Sequence, residues 1–420
     1  MINGSIAKKL DVALSRSAVR NMIMVKVNAE KKKFANSIKD TPVFVKFDGV
    51  TRLRKHYLGI NIQYWDAELG LTVKCLGIID TEGYGDAEST KKQVFQVVEK
   101  TGVKKVDVLA CIVDNAAVML KSIKLMNEEI QLEKENAELD QGEDGESSQN
   151  LTAAEDLTDV DLEGEVDELG SDGPEESDEA AEDEVNQAQG ECFMDEIAQV
   201  DNGIHHMPCG AHTFQLGIRD GLKSPSTATF IGKVRHVAQK LRAPNMDMVL
   251  KLHAKKGMVI DMPIRWGSTF CMIKRALELK ESIKKIKGKE THLTDFEWDE
   301  LERLKQILEI PHKATIALQK ESLTPGECLL EWKEVTFRLD KIQSTIASGI
   351  AKALKEREKK LMENDIFLAA VWIDSRSRIL LTENEKSRAK RNLFSIYRRV
   401  DKSPESIQTQ ENTGTGVSIF

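Results

Sequence analysis

Length, composition and charge narrow the class of protein first. The chain has 420 residues, of which 40% are hydrophobic and 5% aromatic, and it carries a formal net charge of −9; a chain of this length can hold two or three domains. The sequence has no run of about 18 apolar residues that would predict a membrane span, and no secretory leader pattern is visible. The six cysteines are scattered and form no CxxC pair, a pattern that is typical of free thiols in a reducing compartment.

The charge is unevenly distributed along the chain. Residues 128–196 hold 28 acidic residues and one base, so this segment carries −27 and the rest of the chain carries +18. An acidic composition with few aromatic residues cannot bury enough apolar surface to offset the cost of ordering, which predicts a disordered linker over 128–200. The basic remainder suggests a polyanionic partner such as nucleic acid, although lysine and arginine also simply solvate helices.

The first third of the chain predicts a strand-rich unit. A helical N-terminal segment precedes three strand-like runs, the second of which alternates apolar residues, and a helix, a buried-type strand and another helix follow. In chain order the predicted elements are a helix in 1–40, strands at 43–47, 56–66 and 71–80, a helix at 89–102, a strand at 106–114 and a helix from Asn115.

Two aspartates stand out because of where this element order places them. Asp48 falls late in the first strand and Asp114 at the end of the fourth, so neighbouring strands one and four would bring both carboxylates together. Two close carboxylates repel, and a divalent metal relieves that repulsion and can activate water for phosphoryl displacement. Taken singly, Asp48 before Gly49 is also a common turn pair, and Asp114 before Asn115 a plausible helix cap.

Several blocks resemble the hAT family of DNA transposases. They occur in family order across roughly residues 40–400, and they are KFDGVTRLRKHYLGINIQYWD (46–66), VLACIVDNAAVMLKSIKLM (108–126), HHMPCGAHTFQLGIRDGLK (205–223), PIRWGSTFCMIKRALELKESI (263–283) and LAAVWIDSRSRILLTENEKSRAKRNLFSIYRR (368–399). Val118 and Ser375 depart from the family pattern, which often has asparagine and proline there.

The resemblance implies an α/β fold: a ribonuclease-H-like mixed sheet interrupted by the disordered acidic segment and by a large all-α insertion. Helical periodicity with almost no strand signal over 226–363, including a capping-box pattern at Thr294 and Glu297, independently favours the insertion. The predicted divisions are an N-terminal helical segment (1–40), the first part of the core (41–127), the acidic linker (128–200), a core continuation (201–225), the helical insertion (226–363), the core return (364–400) and a disordered tail (401–420).

The resemblance also implies roles for individual residues. Asp48 and Asp114 match the family's catalytic, metal-binding aspartates, so Mg²⁺ or Mn²⁺ is the expected cofactor if the chain is active. His212 is implied to contact DNA or to support the active site. Arg265 is implied to contact phosphate and Trp266 to stack on a displaced base, although a tryptophan beside an arginine is more often core packing.

The spacing Cys209-x-x-His212 also invites a zinc interpretation. A structural zinc site needs four ligands, and no second pair follows at a suitable spacing, while His205 and His206 are poorly placed for a standard site. We therefore expect no zinc, and the alternative is a packed cysteine with a hydrogen-bonding histidine at a helix start.

Two features of the family are not found in the sequence: the late catalytic glutamate with its C-terminal dimerisation region, and the BED-type zinc finger that precedes the core. The expectation is therefore a transposase-derived, domesticated protein that binds double-stranded DNA in the nucleus and is catalytically inactive. The alternative is an active metal-dependent transposase, performing strand cleavage and transfer, of which this chain is a fragment. Homo-oligomers or assembly with related transposase-like proteins, and no membrane partner, complete the expected partners.

Overall fold

A computed structural model describes the chain over residues 15–52, 55–81, 85–114, 116–140, 203–262, 265–286, 291–320 and 322–400. Within these ranges, no helix combines the length and the apolar character that a membrane span requires. Most of the predicted acidic linker and the whole predicted tail, 401–420, lie outside the described residues.

One part of the fold, which we call the sheet region, covers residues 15–140 and 203–208. Its elements are α1 (Arg16–Ser37), β1 (Val43–Arg52), β2 (Lys55–Asp66), β3 (Gly70–Asp80), α2 (Ala87–Lys100), a 3₁₀ turn (Lys105–Asp107), β4 (Val108–Val113), α3 (Ala117–Asp140) and β5 (His205–Pro208). This order agrees with the predicted alternation of strands and helices, with β5 as an additional strand.

The five strands form one mixed sheet in the order β3-β2-β1-β4-β5. Strands β1, β2 and β3 are antiparallel neighbours, whereas β4 runs parallel to β1 and β5 runs parallel to β4. The alternation predicted for β2 is confirmed, because Leu58, Ile60, Ile62 and Tyr64 are all buried. They share one hydrophobic cluster with apolar residues of α2 and α3, so these helices supply the sheet's cover.

The predicted start of the acidic linker at residue 128 is corrected by α3, which continues as a helix to Asp140. Ile130 is buried in the cluster under the sheet. Glu129 and Glu133 both accept hydrogen bonds from the Lys105 ammonium, at 2.7 and 2.6 Å. Tertiary partners therefore stabilise acidic residues here that composition alone assigns to a disordered segment.

The other part of the fold, which we call the helical region, covers residues 210–400. Its elements are α4 (Gly210–Leu222), α5 (Pro225–Leu241), α6 (Pro244–Ala254), α7 (Trp266–Glu278), α8 (Lys280–Lys285), α9 (Asp295–Leu318), α10 (Pro325–Asp340), α11 (Thr345–Glu363), α12 (Asp365–Ile373), α13 (Ser375–Arg378) and α14 (Glu383–Val400). The capping box at Thr294 and Glu297 is confirmed at the start of α9.

A single hydrophobic cluster unites the helical region, and its limits differ from the predicted insertion, 226–363. The cluster begins at Phe214, in the predicted core continuation, and extends to Ala389, in the predicted core return. Helix α4 joins this cluster because Gly217 and Gly221 let α11 approach closely: an added Cβ at Gly221 would lie 2.4 Å from the Cα of Ile350. The predicted boundaries at 226 and 363, which come from the family's sequence blocks, therefore do not coincide with the limits of the hydrophobic cluster.

Candidate functional site

The two predicted catalytic aspartates meet at one edge of the sheet. Strands β1 and β4 are parallel, and their register pairs Lys46 with Ile112. Two residues further along each strand, this register places Asp48 opposite Asp114, which directly follows β4. Because side chains alternate with a period of two, both carboxylates project on the same face of the sheet.

The carboxylates influence each other electrostatically. The pKa of Asp48 is raised above its ordinary value, first by partial burial of the carboxyl group and then by the negative charge of Asp114. The positive influence of His212 and the Gly49 amide, which donates a hydrogen bond to this carboxyl, lower the pKa and partly offset the increase. The charge of Lys46 also lowers the pKa of Asp48, but burial and the like charge of Asp114 outweigh these effects.

Two helices begin beside this edge. The backbone N–H of Cys209 donates to the Val113 carbonyl at 2.9 Å, which ties the start of α4 to the end of β4. The half-buried His212 lies in the first turn of α4. On the other side, Asp114 accepts from the Ala116 amide at 3.1 Å, one residue before α3 begins. Helix N-termini carry partial positive charge, so the edge suits both carboxylates and an approaching phosphate.

The carboxylate pair fits a limited mode of Mg²⁺ binding. Mg²⁺ in proteins is commonly held by one or two carboxylates while water and substrate phosphates supply its other ligands. Asp48 and Asp114 would provide two such oxygen ligands. Across the described ranges, no group of three or more histidine, cysteine or acidic side chains is arranged to hold a metal, so any further protein ligand would have to come from outside them.

Trp266 and Arg265 lie in a different environment from the aspartates. Trp266 opens α7 and is only 3% exposed within the hydrophobic cluster of the helical region. Its ring contacts His312 edge-on, with centroids 6.1 Å apart. Stacking on a base needs an accessible aromatic face, so the implied role would require this side chain to leave the core. Arg265 is exposed at the N-cap of α7, where contact with a phosphate is possible.

The surroundings of Cys209 agree with the packing interpretation of the Cys-x-x-His spacing. Cys209 occupies the N-cap position of α4. Its neighbour across the helix interface is Cys328 of α10, which is buried and lies 2.6 Å from where a Cβ on Gly210 would stand. Burial raises the pKa of the Cys328 thiol to about 12.

The sequence analysis missed β5, which connects the two regions. Its four residues, His205–Pro208, contain no strong strand signal. The side chain of Asn127 on α3 holds the start of β5 through two hydrogen bonds to the Ile204 backbone, at 2.6 and 3.0 Å. From the helical region, the Asn364 amide donates to the His206 carbonyl at 2.8 Å. Neither long-range contact leaves a local pattern in the sequence.

Part of the chain is similar to a known protein family. Residues 207–309 match the model of a family described as the ZBED1 RNase-like helical domain. The matched segment begins in β5 and ends in α9, so it includes His212, Arg265 and Trp266 and leaves out Asp48 and Asp114. No curated protein sequence matches the chain.

Proposed function

We propose that this chain is a DNA-binding protein derived from a hAT transposase and built on a ribonuclease-H-like core. The observation that carries the proposal is the meeting of Asp48 and Asp114 at one sheet edge, beside His212 at the start of α4. These three residues come from blocks that are far apart in the sequence; the resemblance implies that the two aspartates bind the metal and that His212 contacts DNA or supports the active site.

The strand arrangement supports the ribonuclease-H-like core. Such a core is expected to place three antiparallel strands beside parallel ones, with the first and fourth strands adjacent. The sheet order β3-β2-β1-β4-β5 has this arrangement. The long helical segment that follows α4 occupies the place of the expected insertion, and the family match covers its first part.

The chain's own residues suggest how DNA would be held. Asp48 and Asp114 would share a divalent cation, which when bound neutralises their charge and attracts a phosphate. The N-terminus of α4 would orient backbone N–H groups toward the same phosphate. His212, whose charge lowers the pKa of Asp48, would contribute a hydrogen bond to the same phosphate.

We infer binding without cleavage as the primary activity. In-line phosphoryl displacement typically uses two metal ions, and their shared ligation demands more carboxylates than this pair supplies. One observation favours the alternative function, an active transposase fragment: both Asp48 and Asp114 are present. Two facing carboxylates lower stability, and a protein that only binds DNA has no need to keep both. Nuclear residence is proposed as a consequence of the DNA partner, and fluorescence microscopy of the tagged chain tests it.

The experiment measures binding and nicking of a short duplex by the full chain with Mg²⁺ or Mn²⁺. Variants Asp48→Asn and Asp114→Asn test the site, and Asp299→Asn, which removes an exposed carboxylate on α9, is the charge-matched control. Salt-sensitive binding without nicking, with metal dependence lost only in the two site variants, supports the proposal. Nicking lost in both site variants would replace it with the active alternative, and the absence of duplex binding would refute both.

A further inference from the structure

A basic and aromatic surface on the last described helix has no role in the proposed site. Helix α14, Glu383–Val400, contains six basic residues after position 385 and no acidic one. We propose that its exposed face, together with Trp372, binds single-stranded nucleic acid by stacking bases and neutralising phosphates. The residues are Arg378, Trp372, Lys390, Phe394, Tyr397 and Arg398, which we call the basic-aromatic strip.

Helical spacing places the strip's members on one side of α14. Lys390, Phe394 and Arg398 follow each other at intervals of four residues, and Tyr397 lies three residues after Phe394; residues at these spacings are neighbours on a helix surface. The opposite side, which includes the buried Ala389, faces the rest of the helical region. The four strip residues of α14 therefore form one solvent-exposed face, and the half-buried Trp372 adjoins this face at Lys390.

The aromatic rings are accessible to a base. Phe394 is 65% exposed and Tyr397 is 59% exposed, one helical turn apart. A helix face that serves only for solvation gains nothing from two exposed rings, because their hydration is unfavourable. Stacking of a base on such a ring needs no particular base identity, so the surface suits unpaired strands of mixed sequence.

The strip has an acidic neighbour: the pKa of Glu383 on the same helix is lowered first by its hydrogen bond from Lys386 and also by the charge of Lys390. The ammonium of Lys390 and the guanidinium of Arg378 both lie 5.7 Å from the centroid of the Trp372 ring. Within the described residues, no ion pair joins Lys390, Arg378 or Arg398 to a carboxylate. By contrast, Arg388 on the inner side pairs with Asp365 at 3.2 Å. Like charges gathered on one half-buried indole favour a polyanion that can lie across them.

The strip's partner is a single strand rather than a duplex, because stacking requires unpaired bases. A duplex offers phosphates but hides its base faces within the stack. The strip shares no residue with the Asp48–Asp114 site. Single-strand binding by the strip can therefore be refuted while the proposed duplex binding holds, and the reverse also applies.

The test uses the full chain and fluorescence anisotropy with labelled oligo(dT) of about 12 nucleotides, a length in the usual site-size range. Phe394→Leu and Tyr397→Leu keep apolar bulk but remove the stacking face, and Phe296→Leu is the control, since Phe296 is also exposed on a helix, beside acidic residues. Each strip variant should weaken binding about fivefold or more, while the control and duplex binding remain unchanged.

Charge variants test the phosphate contacts separately. The double variant Lys390→Gln/Arg398→Gln should reduce the slope of log affinity against log salt by about 1.4, since each single-strand phosphate contact contributes about 0.7. Lys92→Gln/Lys100→Gln on α2 removes the same charge elsewhere and should leave the slope unchanged. An oligo(rU) probe distinguishes RNA from DNA as the natural strand, and either supports the strip if the same variants weaken it.

Three results would overturn the proposal. Oligo(dT) affinity could be unchanged in every strip variant. Duplex and single-strand binding could fall equally in the leucine variants, which would show that the rings do not stack on bases. Polyglutamate of equal charge could displace oligo(dT) as readily as unlabelled oligo(dT) does, which would mark a general anion surface. Circular dichroism of each variant confirms that α14 remains folded.

Discussion

Two carboxylate sites, Asp261 in the helical region and Asp48 with Asp114 on the parallel strands, differ in the groups that surround their charge. Between helices, the fully buried Asp261 carboxylate receives two hydrogen bonds from Arg235 and one from Thr269, each at 2.7 Å. On the parallel strands, Asp48 faces the like charge of Asp114, and no hydrogen-bond partner of the buried His206 Nε2 is found among the described residues.

This difference separates a structural use of charge from a functional one. A buried ion pair with every lone pair satisfied fixes the packing of two elements, and its removal exposes an uncompensated charge. Like charges held close together lower stability, and such perturbed groups are concentrated at sites that bind a ligand. Three substitutions test this difference in the use of charge and a fourth tests the packing of α4 against α11; we give them from the largest expected effect to the smallest.

Breaking the buried pair of the helical region should have the largest effect. Arg235→Met leaves the Asp261 carboxylate buried without its cation, and we expect the free energy of unfolding to fall by about 3–5 kcal/mol. Urea denaturation followed by tryptophan fluorescence measures this change. Arg303→Met removes an exposed cation paired with Glu300 and should cost at most about 1 kcal/mol. Equal losses in the two variants would mean that the pair is not structural.

His206 should make the sheet region sensitive to acid. Burial lowers its pKa from 6.5 to about 4. The unfolded chain therefore binds this proton first, and the stability present above pH 6.5 is lost as the pH falls toward 4. One pKa unit corresponds to about 1.4 kcal/mol, so acidification from pH 7 to pH 4.5 should cost roughly 2–3 kcal/mol through this residue.

Urea denaturation at both pH values measures the acid effect. His206→Leu should flatten this part of the pH dependence. The matched control, His253→Gln, replaces an exposed histidine on α6 and should retain the wild-type slope. A His206→Leu variant that keeps the full acid sensitivity would assign that sensitivity to other groups.

The close approach of α4 and α11 should tolerate no added methyl group. Gly221→Ala places a Cβ 2.4 Å from the Ile350 Cα, a backbone atom that cannot yield cheaply. Overpacking of this kind typically costs about 1–3 kcal/mol, measured as a shift in the denaturation midpoint. Gly232→Ala on α5 meets no atom within 4 Å and should instead stabilise by about 0.5–1 kcal/mol. If both substitutions stabilise, the two helices are further apart than described.

Relief of the carboxylate repulsion should have the smallest effect and the opposite sign. The folded pKa of Asp48 is raised above its ordinary value of 3.8, so the protonated form is favoured by folding and stability is lost as the pH rises through the folded pKa. At pH 7, Asp48→Asn should therefore stabilise the protein, by less than about 1 kcal/mol because the carboxylate is solvent-accessible. The gain should vanish below about pH 4.

A double variant isolates the repulsion itself. If Asp48 and Asp114 destabilise each other, adding Asp114→Asn to Asp48→Asn should give less than the sum of the two single effects at pH 7. Strict additivity would show that the two carboxylates do not interact, and would remove the main support for a shared cation.

The sequence by itself determined the elements whose signal is local. The alternation of Leu58, Ile60, Ile62 and Tyr64 specified a strand with one buried face, and Thr294 with Glu297 specified a helix start, because neither depends on distant residues. The element order placed Asp48 late in the first strand and Asp114 at the end of the fourth, but it did not determine that these strands are neighbours; the sheet does, because β1 and β4 pair in parallel.

Only the tertiary structure decided which residues share a core and which remain accessible. The acidic stretch around Glu129 folds as part of α3 because Lys105 lies across from it, β5 forms because Asn127 binds the Ile204 backbone, and Trp266 is buried because α7 packs against α9. Each outcome depends on a contact between residues far apart in the chain, and such contacts cannot be predicted from the pattern of neighbouring residues.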